Sequence, residues 1–300
     1  MPITARLAAV AARGFGLFSA VARAVDPYFQ YVTALLHGDG TNGAQNNTFL
    51  DSSTNNFTIT RNGNTTQGSF SPFSQKGWSN YFGGASNYLS ASDNAAFDLG
   101  AGDFTFECWA YTSSWSSQYN VLLSQWTADT AYIFRITSSL IGMYANIGGT
   151  QNYQATTTNT LNTWDHYAIT RNGSTVTFWK NGISVGTSAI SGTINNSTGN
   201  VTIAIIGDLN VNTAHIGYIS NLRLIKGTAV YTSNFTPSTT PLTAISGTSL
   251  LTCQSNRFVD NSSNAFALTV TGTPSVQPIS PFYATTAYST ASVGGSGYFD

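Results

Sequence analysis

The sequence predicts an all-β protein with the form of an antiparallel jelly-roll β-sandwich, and three observations support this prediction. Apolar and polar side chains alternate over many short stretches, which is the period of a half-buried strand. Asn-Gly pairs and Gly-rich or Ser-rich segments separate these stretches, as hairpin turns require. No stretch after Pro27 sustains a helical period. Many short strands at regular spacing are typical of a sandwich or a barrel.

The middle of the chain carries the clearest strand signals. In residues 104–110, the side chains of Phe104, Phe106, Cys108 and Ala110 fall on one face, because strand side chains alternate between two faces. Further strands are predicted at residues 132–136, 140–144, 166–170, 175–179, 201–205 and 215–219.

Three tight turns are predicted between these strands. Ser138-Ser139 closes one hairpin. The pairs Asn172-Gly173 and Asn181-Gly182 are two-residue turn signals, because Asn and Gly adopt the positive φ that such turns need.

The composition excludes several classes of function. Only 8% of the 300 residues are charged, against roughly 25% in an ordinary soluble domain, and the net charge is −1. The 11 Lys and Arg residues form no basic stripe, so we predict no nucleic-acid binding. No apolar run approaches the ~20 residues of a membrane span, so we predict no membrane segment. The polarity comes instead from Ser, Thr, Asn, Gln and Gly, which suit strands and turns.

Residues 1–26 differ in composition from the rest of the chain and form a predicted short helical or extended N-terminal arm. The arm is rich in Ala, and its arginines fall within about a 100° arc of a helix. They are Arg6, Arg13 and Arg23, with Leu7, Val10, Leu17 and Val21 on the apolar face. Three interpretations stay open: a segment that docks into a larger assembly, a secretory signal interrupted by a charge, and a frayed arm with no role of its own.

A block of sequence occurs twice without a gap, at residues 50–73 and at residues 259–282. The matching positions are Asp51 and Asp260, Phe57 and Phe266, and Phe73 and Phe282. The offset is constant, since 260 − 51, 266 − 57 and 282 − 73 all give 209. Upstream of the block, Leu35-Leu36 matches Leu250-Leu251 at a different spacing.

The repeat predicts how the chain is divided. A period near 200 residues is too long for a solenoid and indicates tandem domains. The predicted divisions are an arm at 1–26, a sandwich at 27–248 and a terminal segment at 249–300. The terminal segment is either a linker with the start of a second similar unit, or the closing strands of the first sandwich.

Three motifs resemble those of one known family, the concanavalin A-like, laminin-G-type lectin domains. They are Tyr81–Leu89 with Gly102–Trp109, Trp164–Gly173 with Phe178–Gly182, and Gly217–Arg223. They resemble the opening, the central hairpin and the closing strand of that family, in the same order. The resemblance covers roughly residues 30–245 and implies a concanavalin A-like sandwich.

Residues 226–237 and 249–253 resemble the version of this domain that occurs in tandem in structural proteins of tailed bacteriophages. That resemblance implies a virion component at the virion surface, outside the cell: a tail fibre, an appendage or a decoration protein. It would bind surface glycans for host attachment, form a homo-oligomer, and contact other virion proteins through the N-terminal arm. The alternative is a cellular extracellular adhesin or a surface-filament subunit with the same fold.

The sequence shows no catalytic set, so we predict that the protein is not an enzyme. His37, His166 and His215 lie far apart in the chain, and isolated strand histidines are usually structural. Glycoside hydrolases on related jelly rolls use two carboxylates, whereas Glu107 is the only acidic residue of its predicted strand.

Metal and thiol chemistry have weak signals. Calcium, which some members of the family bind, needs six or more oxygen ligands. The carboxylates in predicted loops match no fixed calcium-binding spacing, so no metal site is assigned, although calcium stays open as a cofactor. They are Asp93, Asp98, Asp103, Asp129 and Asp208. Cys108 and Cys253 form either a disulfide or two free thiols.

Two groups of residues combine aromatic rings with amide side chains, as glycan-binding sites do. The predicted glycan-binding residues are Trp115, Gln118, Tyr119, Asn120 and Trp126 in one group, and Tyr144, Asn152 and Tyr153 in the other. The alternative is that these rings only cap the sandwich. Trp109, Trp164 and Trp179 are assigned to the framework.

Overall fold

The computed structural model describes residues 27–36, 49–60, 62, 66–68, 77–84, 86–277, 280–282 and 296–298. The predicted N-terminal arm at 1–26 and His37 lie outside these residues. The chain divides into two compact units. One is Ser69–Gly294, and the other combines Met1–Gly68 with Gly295–Asp300.

The described residues form strands joined by turns and three 3₁₀-helices of three residues each, at Phe29–Tyr31, Ala95–Phe97 and Val211–Thr213. In chain order the strands are β1 (Thr66–Gly68), β2 (Ser79–Gly83), β3 (Tyr88–Ala91), β4 (Phe104–Ser114), β5 (Asn120–Thr127), β6 (Thr130–Thr137), β7 (Leu140–Asn146), β8 (Thr150–Thr156), β9 (Trp164–Asn172), β10 (Thr175–Lys180), β11 (Ile183–Ala189), β12 (Val201–Ile203), β13 (Ile216–Lys226), β14 (Thr248–Thr252), β15 (Thr269–Thr271), β16 (Ser275–Gln277) and β17 (Ser296–Tyr298). The all-β prediction is confirmed.

The larger unit, Ser69–Gly294, consists of two antiparallel sheets. The first sheet has eight strands, in the order β11-β10-β9-β4-β13-β2-β16, with β14 also paired with β13. The second sheet has seven strands, in the order β15-β3-β12-β5-β6-β7-β8. The chain crosses from one sheet to the other several times, as from β2 to β3, from β3 to β4 and from β4 to β5. This is the jelly-roll sandwich that the sequence predicts.

The hydrophobic core lies between the two sheets. Phe104, Phe106, Cys108 and Ala110 of β4 all belong to it, as their predicted common face requires. Phe106 stacks on Phe134 of the second sheet, with ring centroids 4.5 Å apart. This contact joins the inner faces of the two layers.

Two predicted strands and one predicted turn differ in detail from the structure. β12 ends at Ile203 because Ala204 has a φ of 74°, which strand geometry does not allow. β13 continues through Lys226, well beyond the predicted end. Asn181 and Gly182 form a turn as predicted, but the preceding turn is Gly173-Ser174, since Asn172 still pairs with Thr175. Gly173, with a φ of 58°, supplies the positive φ at the first turn position.

Cys108 and Cys253 are both buried and free. Of the two alternatives that the sequence left open, the structure therefore has two thiols rather than a disulfide. Burial raises the pKa of the Cys253 thiol to about 12 and that of Cys108 well above its usual range. Both therefore act as small apolar core side chains rather than as nucleophiles.

The smaller unit contains one short antiparallel ladder between β1 and β17. It also contains two isolated bridges, which pair Leu36 with Asp51 and Leu50 with Thr58. Among the described residues, no helix has the length and apolar character needed to cross a membrane.

Candidate functional site

The eight residues predicted to bind glycan are distributed over different parts of the sandwich. Tyr153 and Trp115 pack against the core between the sheets. Trp126 is buried in a small cluster on the outer face of the second sheet. These three side chains therefore serve the fold.

Asn120 and Gln118 stabilise the loop that leads into β5. The fully buried Asn120 side chain accepts a hydrogen bond from Ser116 N at 3.1 Å and donates one to Ser114 O at 3.1 Å. Gln118 is exposed, and its Oε1 accepts from Asn210 Nδ2 at 3.4 Å. Both the oxygen and the nitrogen of the Asn120 side-chain amide are thus already hydrogen-bonded within the loop.

The remaining three predicted residues, Tyr119, Tyr144 and Asn152, meet around Arg135 on the outer face of the second sheet. The guanidinium carbon of Arg135 lies 4.2 Å from the ring centroid of Tyr144 and 5.2 Å from that of Tyr119. Its Nη2 donates to Asn152 Oδ1 at 2.8 Å and to Gln154 Oε1 at 3.0 Å. The structure therefore brings together residues from both predicted glycan-binding groups. They surround the Arg135 guanidinium, which the sequence analysis does not predict.

The Arg135 side chain lies flat across the neighbouring strand β7, where Gly142 is its pairing partner. A Cβ at Gly142 would approach Arg135 Nη2 to 3.4 Å and Tyr153 O to 3.0 Å, so a side chain there would crowd the guanidinium. Only 3% of Arg135 is exposed, and burial lowers its pKa. This cluster holds a cation by ring faces and amides.

The outer face of the first sheet carries a row of four aromatic side chains, which we call the aromatic row: Tyr81, Tyr218, Tyr111 and Trp164. They occupy directly paired positions on the adjacent strands β2, β13, β4 and β9. Successive ring centroids are 5.0, 5.6 and 5.7 Å apart. Three inter-strand spacings of about 4.8 Å give the row a length of roughly 14 Å. All four side chains are partly exposed.

A cleft of about 410 Å³ adjoins one end of the aromatic row, and Trp164 belongs to both. Its walls are Trp109, Trp164, Asn181, Pro237, Ser238, Thr239, Pro281 and Phe282. Trp109 and Phe282 meet edge to face, with centroids 6.3 Å apart. The cleft therefore combines ring faces with amide and hydroxyl groups, the mixture that neutral polar ligands require.

The rest of this outer face is covered by residues 227–243, which we call the strap. Thr105 Oγ1 binds both ends of one strap turn, donating to Thr228 O and accepting from Val230 N, each at 2.8 Å. Tyr231 of the strap stacks on Phe235 with centroids 3.6 Å apart. The strap thus replaces solvent over part of β4 and β9.

Under the strap, Glu107 is fully buried and ionised. Arg223 Nε donates to Glu107 Oε1 at 2.8 Å, the Tyr231 hydroxyl donates to Oε2 at 2.7 Å, and His166 Nε2 lies 3.2 Å from Oε2. Burial alone would raise the pKa of Glu107, but His166, Arg223 and Tyr231 together lower it below its ordinary value. The carboxylate is satisfied on both oxygens and sealed from solvent, so it serves the fold.

Trp109 and Trp164, which the sequence analysis assigns to the framework, both line the cleft. A usable signal was present in the sequence. If Phe106, Cys108 and Ala110 face inward, then Trp109 and Tyr111 must face outward on the same strand. What the sequence lacked was the pairing that sets Tyr111 between Tyr218 and Trp164.

Three of the five loop carboxylates accept hydrogen bonds from protein groups. Asp93 Oδ1 accepts from Gln125 Nε2 at 2.9 Å, and Asp103 Oδ1 accepts from Gly173 N at 2.7 Å. Asp208 Oδ1 accepts from Asn210 N at 3.1 Å. Within the described residues, no three metal-ligating side chains come together.

Two facing antiparallel sheets with a partly open outer surface define a lectin-type jelly roll. Residues 82–230 match the Laminin_G_3 family, described as the concanavalin A-like lectin/glucanases superfamily. This part of the chain is therefore a domain of that superfamily, as the three sequence motifs predicted. No curated protein matches the chain in sequence.

Among solved structures, the native heptameric SAP-like pentraxin from Limulus polyphemus is 12% identical, with a TM-score of 0.50. The match covers 70% of this chain and 98% of the pentraxin chain. At this identity the similarity shows the fold alone.

Two further structures are similar at lower TM-scores. A proposed carbohydrate-binding protein from Bacteroides ovatus ATCC 8483 is 14% identical, with a TM-score of 0.49, over 76% of this chain and 66% of that one. Domains LG4-5 of the mouse laminin alpha1 chain are 15% identical, with a TM-score of 0.40, over 54% and 47%. The chain thus spans just under two thirds of the first protein and about half of the second.

Proposed function

We propose that this protein binds neutral glycans on its first sheet, through the aromatic row and the adjoining cleft. The observation that carries the proposal is the direct cross-strand pairing of Tyr81, Tyr218, Tyr111 and Trp164. Aromatic faces bind the apolar faces of sugar rings, and a row of them fits an extended chain of sugars.

The construction of the site supports this proposal. All four rings stand on strands, which hold side chains more rigidly than loops do. Burial and the neighbouring rings of Tyr81 and Tyr111 raise the pKa of Tyr218 above its ordinary value of 10, where the hydroxyl is already neutral at physiological pH. Ser238 and Thr239 supply hydroxyl groups in the cleft, while the Asn181 amide is held by His166 N and Asp165 Oδ1. A platform of neutral rings and neutral polar groups favours uncharged sugars.

A glycan array probed with multivalent protein tests this proposal, since many weak contacts then add to a measurable signal. The informative variant is Trp164→Ala, because Trp164 belongs to both the row and the cleft. The matched control is Tyr144→Ala, on the outer face of the other sheet. We expect the wild type and the control to bind the same glycans and Trp164→Ala to lose them. A blank array with the wild type, or loss with the control alone, would contradict the proposal.

We further propose that the protein acts by binding and performs no catalysis. The buried Glu107 supports this, because its carboxylate is paired with Arg223 under the strap rather than facing the cleft. Reducing-end assays on the glycans that bind test the point: no new reducing ends are expected, and their release would refute it.

The sequence resemblance at 226–237 and 249–253 supports a finer proposal: a structural protein of a bacteriophage virion, displayed as a tail fibre, appendage or decoration protein. In that setting, copies form a homo-oligomer, the arm at 1–26 contacts other virion proteins, and the sandwich faces the host. Mass spectrometry of purified virions tests this. The chain is expected among the particle proteins, and its absence from them, with detection on a cell surface, would favour the adhesin.

A further inference from the structure

The duplicated sequence block folds into the same turn twice. Each copy is centred on a buried aspartate whose two oxygens accept four hydrogen bonds. Asp51 accepts from Leu35 N, Ser53 N, Ser53 Oγ and Phe57 N, all at 2.9 Å. Asp260 accepts from Leu251 N, Ser262 N, Ser262 Oγ and Phe266 N at 3.0, 2.9, 2.8 and 3.0 Å.

The equivalence extends to the backbone. Asn56 and Ala265 take the same left-handed conformation, with φ of 48° and 47°. Asn55 Nδ2 donates to Thr33 O, and Asn264 Nδ2 donates to Ser249 O, each at 2.9 Å. Leu35 therefore corresponds to Leu251, one position away from the leucine pairing that the sequence alone predicts.

The second copy closes the edge of the sandwich. Its β14 pairs with the second half of β13, and Leu250 is buried in the core. Phe266 packs on Phe97, with ring centroids 4.9 Å apart. We call residues 249–266 the second closing module because they complete the end of the core.

The first copy, at residues 33–36 and 49–58, has the same turn. Its described residues pair with no strand of a sandwich, whereas β14 of the second copy pairs with β13. In the described part of the chain, residues 33–36 belong to no strand, and their strand-like pairing is the isolated bridge between Leu36 and Asp51. Three of its apolar side chains face solvent: Leu36 is 46% exposed, Leu50 is 58% exposed and Phe57 is 52% exposed. Phe57 is the counterpart of Phe266, so the surface that docks in one copy is bare in the other.

A second pair of strands supports the same relation. β16 pairs with β2, setting Ser275 opposite Tyr81, and β1 pairs with β17, setting Thr66 opposite Tyr298. Ser275 follows Thr66 by 209 positions, the offset of the repeat, since 275 − 66 = 209. Tyr298 begins a Tyr-Phe pair in the sequence, as Tyr81 does. β1 of the first sequence block therefore pairs with β17 in the way that β16 pairs with β2.

We propose that residues 33–36 and 49–58 form a first closing module, which docks onto a laminin-G-type sandwich of another subunit whose β13-type edge is unpaired. Residues 33–36 would add a strand to that edge, as β14 does, and Phe57 would cover the end of its core. The partner is therefore a sandwich of this same fold. This proposal is independent of glycan binding.

A chimera of the full chain tests whether the first module can close a sandwich. Residues 33–57 replace residues 249–266, and the control chimera carries Asp51→Asn and Phe57→Ala within the transplanted segment. The first chimera is expected to melt within about 5 °C of the wild type, and the control far below it. If both chimeras melt alike and far below the wild type, the proposal is wrong.

Docking between subunits is tested by mixing two full-length chains. The receiver carries Asp260→Asn and Phe266→Ala, which loosen its own module, and the donor is the wild-type chain. Sedimentation velocity is expected to show a donor–receiver complex that a donor with Asp51→Asn and Phe57→Ala cannot form. The first chimera could fold while the receiver captures no donor. That pair of results would show that the module closes only a sandwich of its own chain, and it would overturn docking between subunits.

Discussion

The two halves of the outer face of the first sheet are built on the same strands but serve different ends. Successive outward residues of β4 are Glu107 and Trp109, and only the first lies under the strap. The covered half holds a sealed carboxylate with Arg223 and His166. The open half displays aromatic rings and a cleft.

This difference shows that burial by the strap, rather than residue type, separates the sealed side chains of this face from those that solvent can reach. A histidine and a carboxylate on a strand of a lectin-type fold would ordinarily attract a catalytic interpretation. Here both serve to hold the strap, because Tyr231 also binds Glu107. The rings beside them stay uncovered, and these are the groups that a ligand can reach.

Removing the buried carboxylate should have the largest effect on the fold. Glu107→Ala leaves the Arg223 guanidinium buried without its counter-charge, which typically costs about 3–5 kcal/mol. Urea unfolding at pH 7 measures this loss. Tyr231→Phe, which removes one hydrogen bond to the same carboxylate, should cost only about 1 kcal/mol. Equal effects of the two variants would show that the ion pair is not what stabilises the covered half.

Acid should destabilise the sandwich through His215, a buried residue next to β13. Burial lowers its pKa from 6.5 to about 4, so the folded state binds a proton less readily than the unfolded chain. Its stabilising contribution is complete above pH 6.5 and is lost as the pH falls toward 4. At 1.36 kcal/mol per pKa unit, the loss is about 3 kcal/mol.

Urea unfolding at pH 7 and at pH 4 measures this dependence. The matched variant is His215→Gln, which stays neutral at both pH values. The wild type should lose about 3 kcal/mol more than the variant between the two pH values, since other groups contribute equally to both. A parallel decline in the two proteins would assign acid sensitivity to other groups.

Truncating one ring of the aromatic row should affect binding more than folding. Tyr218→Ala is expected to weaken glycan binding about tenfold, because central aromatic anchors commonly contribute more than 1 kcal/mol. Since Tyr218 is partly exposed, stability should change by about 1 kcal/mol. Calorimetric titration and urea unfolding measure both quantities on the same sample. A large stability loss with unchanged affinity would make the row a structural cap.

The smallest effect is expected on the opposite sheet. Arg135→Lys keeps the charge near Tyr144 but loses the paired hydrogen bonds to Asn152 and Gln154, at a cost of about 1 kcal/mol. Glycan affinity should stay as in the wild type. A fall in affinity here would move the binding site to the second sheet.

The fold could be predicted because apolar and polar side chains alternate along each strand, and this pattern can be seen within a few consecutive residues. The inward face of β4 and the hairpin of β6 and β7 follow from period-2 patterns and short turns, which need no knowledge of distant residues. The turn at Gly173-Ser174 was predicted one residue too early, at Asn172-Gly173. An Asn-Gly pair indicates that a turn is near but does not determine which residue occupies its first position.

The candidate site could be predicted only in part, because it depends on which strands lie side by side. Tyr119, Tyr144 and Asn152 come from both predicted groups and lie together in the structure, but their partner Arg135 comes from β6, which no sequence signal linked to them. In the same way, Tyr81 joins the aromatic row from a strand far away in sequence. Pairing between distant strands sets both clusters, and local patterns do not encode it.

Amide chemical-shift mapping with a glycan that binds on the array tests the central claim most directly, because it reports the location of the ligand on the folded chain. The predicted result is a set of shifts on β2, β4, β9 and β13 around Tyr81, Tyr111, Trp164 and Tyr218, with the residues beneath the strap unchanged. Shifts centred on Tyr119, Tyr144 and Asn152 would contradict the assignment of the binding site to the first sheet.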